Sequence, residues 1–286
     1  MSPEGFLEPS PAALKEVLKR IEKNQFDEAI SELASFKAEP NSIQTQWVSY
    51  LTGLALFGKK ELEPGVQKFH SIYEYIRSSK DALPPEMFRL LGASLKKVGW
   101  YFRTKKEFDR AYAYHSIEFS YFEKYGSPLE IHDAAISLDV DSYSLNDMHL
   151  SEVWLRKSIL AAEQIKEMKS RNHSLGMSYN NLAGTLYSLR RFEESETSIQ
   201  KSLEYWKAYE AEAGSKESKV LWAYFGVGDV YQEWATYLKG QRADIQKKKD
   251  LSLSAYKTSF AMAEKAGLPD QGKKAIQDRI AAVTGL

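Results

Sequence analysis

The 286-residue sequence contains no cysteine, which excludes disulfides, thiolate nucleophiles and cysteine-ligated zinc. It also lacks net charge, with 39 basic and 39 acidic side chains. The balance holds locally: residues 1–143 carry 18 basic and 21 acidic groups, and the remainder 21 and 18. Without a basic excess to neutralise phosphates, nucleic acid is not an expected partner. No stretch approaches the roughly 18 apolar residues of a membrane span. The start, Met1-Ser2-Pro3-Glu4-Gly5-Phe6-Leu7-Glu8, has neither the basic end nor the apolar centre of a signal peptide. A reducing cytoplasm is the expected location, with no membrane insertion.

Motifs of chemistry are missing as well. His70, His115, His132, His149 and His173 are scattered, with no H-E-x-x-H and no pair four residues apart, so each reads as a surface or packing residue. Asp139-Val140-Asp141-Ser142-Tyr143 begins like a calcium loop, but no glycine stands at its sixth position and no glutamate at its twelfth. Neither a phosphate-binding loop nor a nucleophile elbow occurs. No catalytic residue, metal or cofactor is expected.

What is present is a repeat. A polar turn, a large apolar residue, two polar residues and a small one recur as Asn24-Gln25-Phe26-Asp27-Glu28-Ala29, Lys60-Glu61-Leu62-Glu63-Pro64-Gly65, Lys106-Glu107-Phe108-Asp109-Arg110-Ala111 and Arg190-Arg191-Phe192-Glu193-Glu194-Ser195. Asp147-Met148-His149-Leu150-Ser151 is a weaker copy. Before the clearest copy, Tyr179, Leu182, Ala183 and Leu186 share one stripe of a helix; after it, Ser195, Ile199, Ser202 and Leu203 share another. Alternating large and small residues let two antiparallel helices approach closely. Ser252, Leu253, Tyr256, Ser259 and Phe260 form the matching stripe of a last pair. Helix starts are expected at Ser10-Pro11, Asn41, Pro84-Pro85-Glu86 and Ser127, where Pro128 at N1 and Glu130 at N3 complete a capping box.

This pattern resembles the tetratricopeptide repeat. Turn spacings of 36, 46, 40 and 44 residues exceed the usual length of about 34, and are similar to the long repeats of kinesin light chains and Rap-type bacterial regulators. Other long helical repeats, such as HEAT, are the alternative. The resemblance implies an all-α, right-handed solenoid of helical hairpins, about six pairs with a C-terminal capping helix. The expected units are 10–39, 41–80, 84–125, 127–169, 171–213 and 215–267, after a tail at 1–9 and before a cap at 268–286. Rap-type proteins carry a further N-terminal effector domain, for which a first unit beginning near Ser10 leaves no room.

In such a stack the first helix of each pair lines a concave groove. The implied inward positions are Asn180, Asn181, Gly184 and Tyr187 in the fifth unit, and Lys96, Lys97, Trp100 and Arg103 in the third. In the sixth they are Phe225, Gly226 and Asp229; in the second, where the match is weakest, Tyr50, Leu51 and Leu54. An asparagine amide both donates and accepts, so Asn180 and Asn181 could clamp an extended backbone. Lys96, Lys97 and Arg103 could receive carboxylates, or lie on a solvated helix face. Trp100, Trp47, Tyr143, Trp222 and Phe225 are groove anchors or core residues. The segment 238–250, with Arg242 and Lys247-Lys248-Lys249, lengthens a hairpin or offers a docking surface. A protein or peptide ligand is the expected partner, with a homodimer through the terminal helices as a further possibility.

Overall fold

The computed structural model describes residues 12–40, 42–79, 82–213, 219–239 and 245–286. Among these are thirteen helices and no strand: α1 (Ala12–Glu22), α2 (Phe26–Ser35), α3 (Ile43–Gly58), α4 (Leu62–Ser78), α5 (Pro85–Thr104), α6 (Phe108–Tyr125), α7 (Pro128–Ser144), α8 (Met148–Glu163), α9 (Met168–Ser188), α10 (Phe192–Ala213), α11 (Lys219–Leu238), α12 (Ile245–Ala266) and α13 (Asp270–Thr284). The all-α architecture expected from the sequence is present. The helices form two compact units that divide between Leu145 and Asn146, inside the pair expected at 127–169.

The recurring phrase is a turn with a defined backbone. Its leading residue in four copies, Asn24, Lys60, Lys106 or Arg190, and Asn146 just before the weaker copy, have φ between 60° and 66°, the left-handed region that ends helices. At Lys60 the amide donates to Phe57 O (3.0 Å) and the next amide, Glu61, reaches back to Leu56 O (2.9 Å). The same two bonds recur at Lys106–Glu107 and at Arg190–Arg191. They satisfy carbonyls that the helix end would otherwise leave open. A side chain in this region costs about 1 kcal/mol or more that glycine avoids, less what glycine's freer unfolded chain gives back. Lys106→Gly is therefore expected to stabilise the protein by about 0.5–1 kcal/mol, read as a higher urea midpoint at unchanged m-value.

Helix starts follow their local chemistry. Ser127 Oγ accepts the Glu130 amide (3.3 Å) and the Ser127 amide donates to Glu130 Oε2 (2.7 Å), so the capping box is complete. Pro85 occupies the first turn of α5. Asn41 lies outside the described residues, as do Ser10 and Pro11; α3 is capped instead by Ser42, whose Oγ accepts the Thr45 amide at 3.2 Å.

Glycines on first helices receive large rings from second helices. A methyl group on Gly53 would stand 2.7 Å from the Phe69 ring, on Gly92 2.7 Å from Phe122, on Gly176 2.8 Å from Trp206 and on Gly228 2.5 Å from Tyr256. Buried serines tie the same surfaces: Ser202 Oγ donates to Gly176 O (2.8 Å) and Ser252 Oγ to Gly228 O (2.9 Å). In both pairs the serine and the ring are four residues apart on one helix, so one turn supplies bond and ring together. Within each unit, successive first helices touch: α1 with α3, α3 with α5, α5 with α7, and α9 with α11. Second helices pack against the first helix of the next pair.

Candidate functional site

The first helices carry most of the candidate residues, and in the N-terminal unit they are joined by charge. Arg89, Lys96 and Arg103 lie seven residues apart on α5 and so share one face. Each meets a carboxylate of α7: Arg89 Nη2 and Glu130 at 2.8 Å, Lys96 Nζ and Asp133 at 3.1 Å, Arg103 Nε and Asp141 at 2.7 Å. A ligand carboxylate arriving at Lys96 or Arg103 would have to displace an internal partner. Lys97 is half-buried on the same helix. Trp100 is 43% exposed and lies against Phe57, with ring centroids 5.8 Å apart.

Behind Arg103 stands a buried polar cluster. His115 and Asp141 are almost wholly enclosed, and His115 Nδ1 bonds the Asp141 carboxylate. Arg103 also donates to Ser137 O at 2.8 Å. Glu118 Oε2 is 4.0 Å from His115 Nε2. Neither carboxyl oxygen of this fully buried residue has a hydrogen-bond partner, and burial pushes its pKa up to about 7.

In the C-terminal unit, Asn180 and Asn181 are half-buried on α9. A methyl group on Gly226 of α11 would stand 3.5 Å from Asn180 Oδ1, whereas one on Gly184 would meet nothing within 4 Å. Tyr187 is half-buried and packs against a cluster of Phe192, Tyr231 and Trp234. Phe225 lies edge-on to Trp222 at 5.5 Å and to Tyr256 at 5.4 Å. Asp229 accepts the Tyr256 hydroxyl (2.6 Å) and faces Arg279 Nε of α13 at 3.3 Å; burial raises its pKa.

Several sequence expectations are corrected by burial. Tyr50, Leu51 and Leu54 belong to the core, as does Trp47, whose indole donates to Glu86 at 2.9 Å. Their helix, α3, is apolar on most sides, so its pattern cannot single out a groove face. Lys248, in the basic run of the 238–250 segment, is enclosed: its ammonium sits 3.2 Å over the Trp234 ring and 3.6 Å from Glu196. It fastens α12 to α11 and α10. Arg242 lies outside the described residues.

No family model matches the chain, and no curated protein matches it in sequence. Solved structures do match in fold. A Rap protein complexed with Competence and Sporulation Factor superposes with a TM-score of 0.54 at 14% identity, over 95% of this chain and 69% of that one. The nearly identical TPR-like repeats of a Podosopora anserina protein described as a kinesin light chain give 0.53 at 10% identity, over 71% and 95%. The S. pombe nuclear import adaptor Nro1 gives 0.52 at 12%, over 94% and 96%. The fold is tetratricopeptide-like.

Within this TPR-like frame, the exposed large aromatics of the described residues are Trp100, Tyr143, Trp222 and Tyr237. They lie on α5, α7 and α11, all first helices. Sequence reasoning missed the α5–α7 pairing and the cluster around His115. The seven-residue spacing of Arg89, Lys96 and Arg103 was the available signal for the former. None of the helices described is long and apolar enough to cross a membrane.

Proposed function

We propose that this TPR-like chain is a non-catalytic interaction module that holds a peptide or helical segment of a partner protein against its first helices. The observation carrying this reading is the placement of its exposed aromatics. Trp100 and Tyr143 on one unit, and Trp222 and Tyr237 on the other, all stand on first helices. A partly exposed aromatic supported on one side, as Trp100 is by Phe57 and Tyr237 by Phe192, can anchor a partner, since rings give large contact area at little entropic cost. Asn181, half-buried on the first helix α9, carries an amide, a group that both donates and accepts. The balanced charge favours recognition by shape and hydrogen bonds over steering by field, and the cysteine-free composition fits a cytoplasmic setting. The Rap protein that shares the fold is seen with a bound factor, and Nro1 is described as an adaptor, both in keeping with this role.

Selection of a random peptide library on the purified protein tests it. Asn181→Ala with Trp222→Ala is expected to weaken the selected peptides by about tenfold or more, at unchanged helical circular dichroism. Equal affinity for the double variant would reject the first-helix face as the binding surface.

A further inference from the structure

A second surface lies on the other side of α9. The second helices α8 and α10 each follow or precede α9 through a short connection, so both run antiparallel to it and parallel to one another. Between them a cleft of about 440 Å³ opens over α9. Its floor is Leu182, Leu186 and the Tyr179 ring, and one wall is Ile159 and Leu160 of α8. Leu160 is 64% exposed and Val153, two turns earlier on the same helix, 49%. Covering such aliphatic side chains removes apolar surface from water, at about 25 cal/mol for each Å².

The polar groups of the cleft specify what fits. Thr197 and Ser198 line the α10 wall, but their hydroxyls already donate to Glu193 O and Glu194 O, both at 2.9 Å. The main chain of all three helices is engaged in its own bonds. An extended strand laid here would bury amides and carbonyls with nothing to pair them, at a cost of order 1–3 kcal/mol for each. A helix brings its backbone already satisfied.

Charge narrows the choice further. Of the charged side chains lining the cleft, Arg156 is held by Glu152 at 2.7 Å. Glu194 is gripped by Arg191 through two bonds of 2.7 Å. Lys201 rests over the Tyr179 ring at 5.0 Å and has no ion-pair partner among the described residues. The charge left unanswered in the cleft is positive.

We infer that the α8–α10 cleft is a docking site for an amphipathic helix of a partner protein, one presenting an aliphatic ridge to Leu160 and a carboxylate to Lys201. This surface is separate from the first-helix face proposed above, so one copy of the chain can hold two partner segments at once.

The test uses the full chain and a stapled, fluorescent helical peptide of about four turns, with leucines at i, i+4 and i+7 and a glutamate flank. Anisotropy is expected to report saturable binding. Leu160→Asp should weaken it by roughly tenfold or more; that residue is exposed, so the fold is retained, as circular dichroism would verify. Lys201→Glu should transfer preference to the same peptide with lysine in place of glutamate. A proline-containing, non-helical peptide of equal composition should not bind. Three results would overturn the proposal: no saturation, equal binding of the non-helical peptide, or insensitivity to both substitutions. Self-association of the protein that Leu160→Asp abolishes would also overturn it, by making a second copy the occupant.

Discussion

Glu118→Gln is expected to stabilise the protein by about 3 kcal/mol more at pH 8 than at pH 4.5. The side chain is fully buried, and burial lifts its pKa from 4.5 to about 7. It faces His115 on its own helix, Lys96 and Arg103 from α5, and Asp133 from α7. Below pH 4.5 the carboxyl is protonated in both folded and unfolded chains and contributes no pH dependence. Between pH 4.5 and 7 the unfolded chain releases the proton while the folded one keeps it, so stability falls as pH rises. Above pH 7 the loss is complete and constant, near 1.4 kcal/mol for each unit of the shift. Glutamine retains the shape and cannot ionise, so this component vanishes. Urea denaturation of both proteins across this range checks it; parallel pH profiles would show that Glu118 is not held neutral by burial.

Gly228→Ala and Gly184→Ala should move stability in opposite directions. Alanine in a helix is worth up to about 1 kcal/mol over glycine where space permits. At Gly184 a methyl group meets nothing within 4 Å, so the full gain is expected. At Gly228 it would stand 2.5 Å from both Cδ1 and Cε1 of Tyr256. That ring has no room to retreat: it is 0% exposed, and its hydroxyl donates towards Asp229 (2.6 Å) and Gln232 (2.8 Å). Overpacking of this kind costs about 1–3 kcal/mol, which exceeds the helical gain. Gly228→Ala is thus destabilising, and Gly228→Leu more so. Thermal unfolding of the two alanine variants should bracket the wild type; a stabilised Gly228→Ala would mean that α11 and α12 are not in this close contact.

The helical pairs were legible because the turn demands particular residues. A left-handed residue followed by a large apolar one, as at Lys106-Glu107-Phe108, leaves a mark in sequence independent of anything distant. The Ser127–Glu130 box is local for the same reason, and the stripe Ser252, Tyr256, Ser259 repeats at helical spacing. Distant pairing leaves no such mark. Lys96 meets Asp133 and Arg103 meets Asp141 across about 40 residues of chain. A charged residue on an inner face has the same periodicity whether it is solvated or paired. On α7 the buried face includes His132, Asp139 and Asp141 beside Ala135 and Leu138, so an apolar pattern cannot find it. Lys248 reads as exposed for a related reason: an amphipathic side chain buries its stem while its tip suggests a surface.

The proposal that the first helices bind a partner can be tested in one experiment, because the chain's six tryptophans are distributed as reporters. Trp47, Trp206 and Trp234 are buried, whereas Trp100 and Trp222 are exposed on first helices, and Trp154 stands on α8. The decisive measurement is an indole N–H nuclear magnetic resonance titration with a peptide selected on the protein. Shifts of the Trp100 or Trp222 signal, with Trp47, Trp206 and Trp234 unmoved, are the predicted result. A saturating titration that leaves both Trp100 and Trp222 in place would contradict the account.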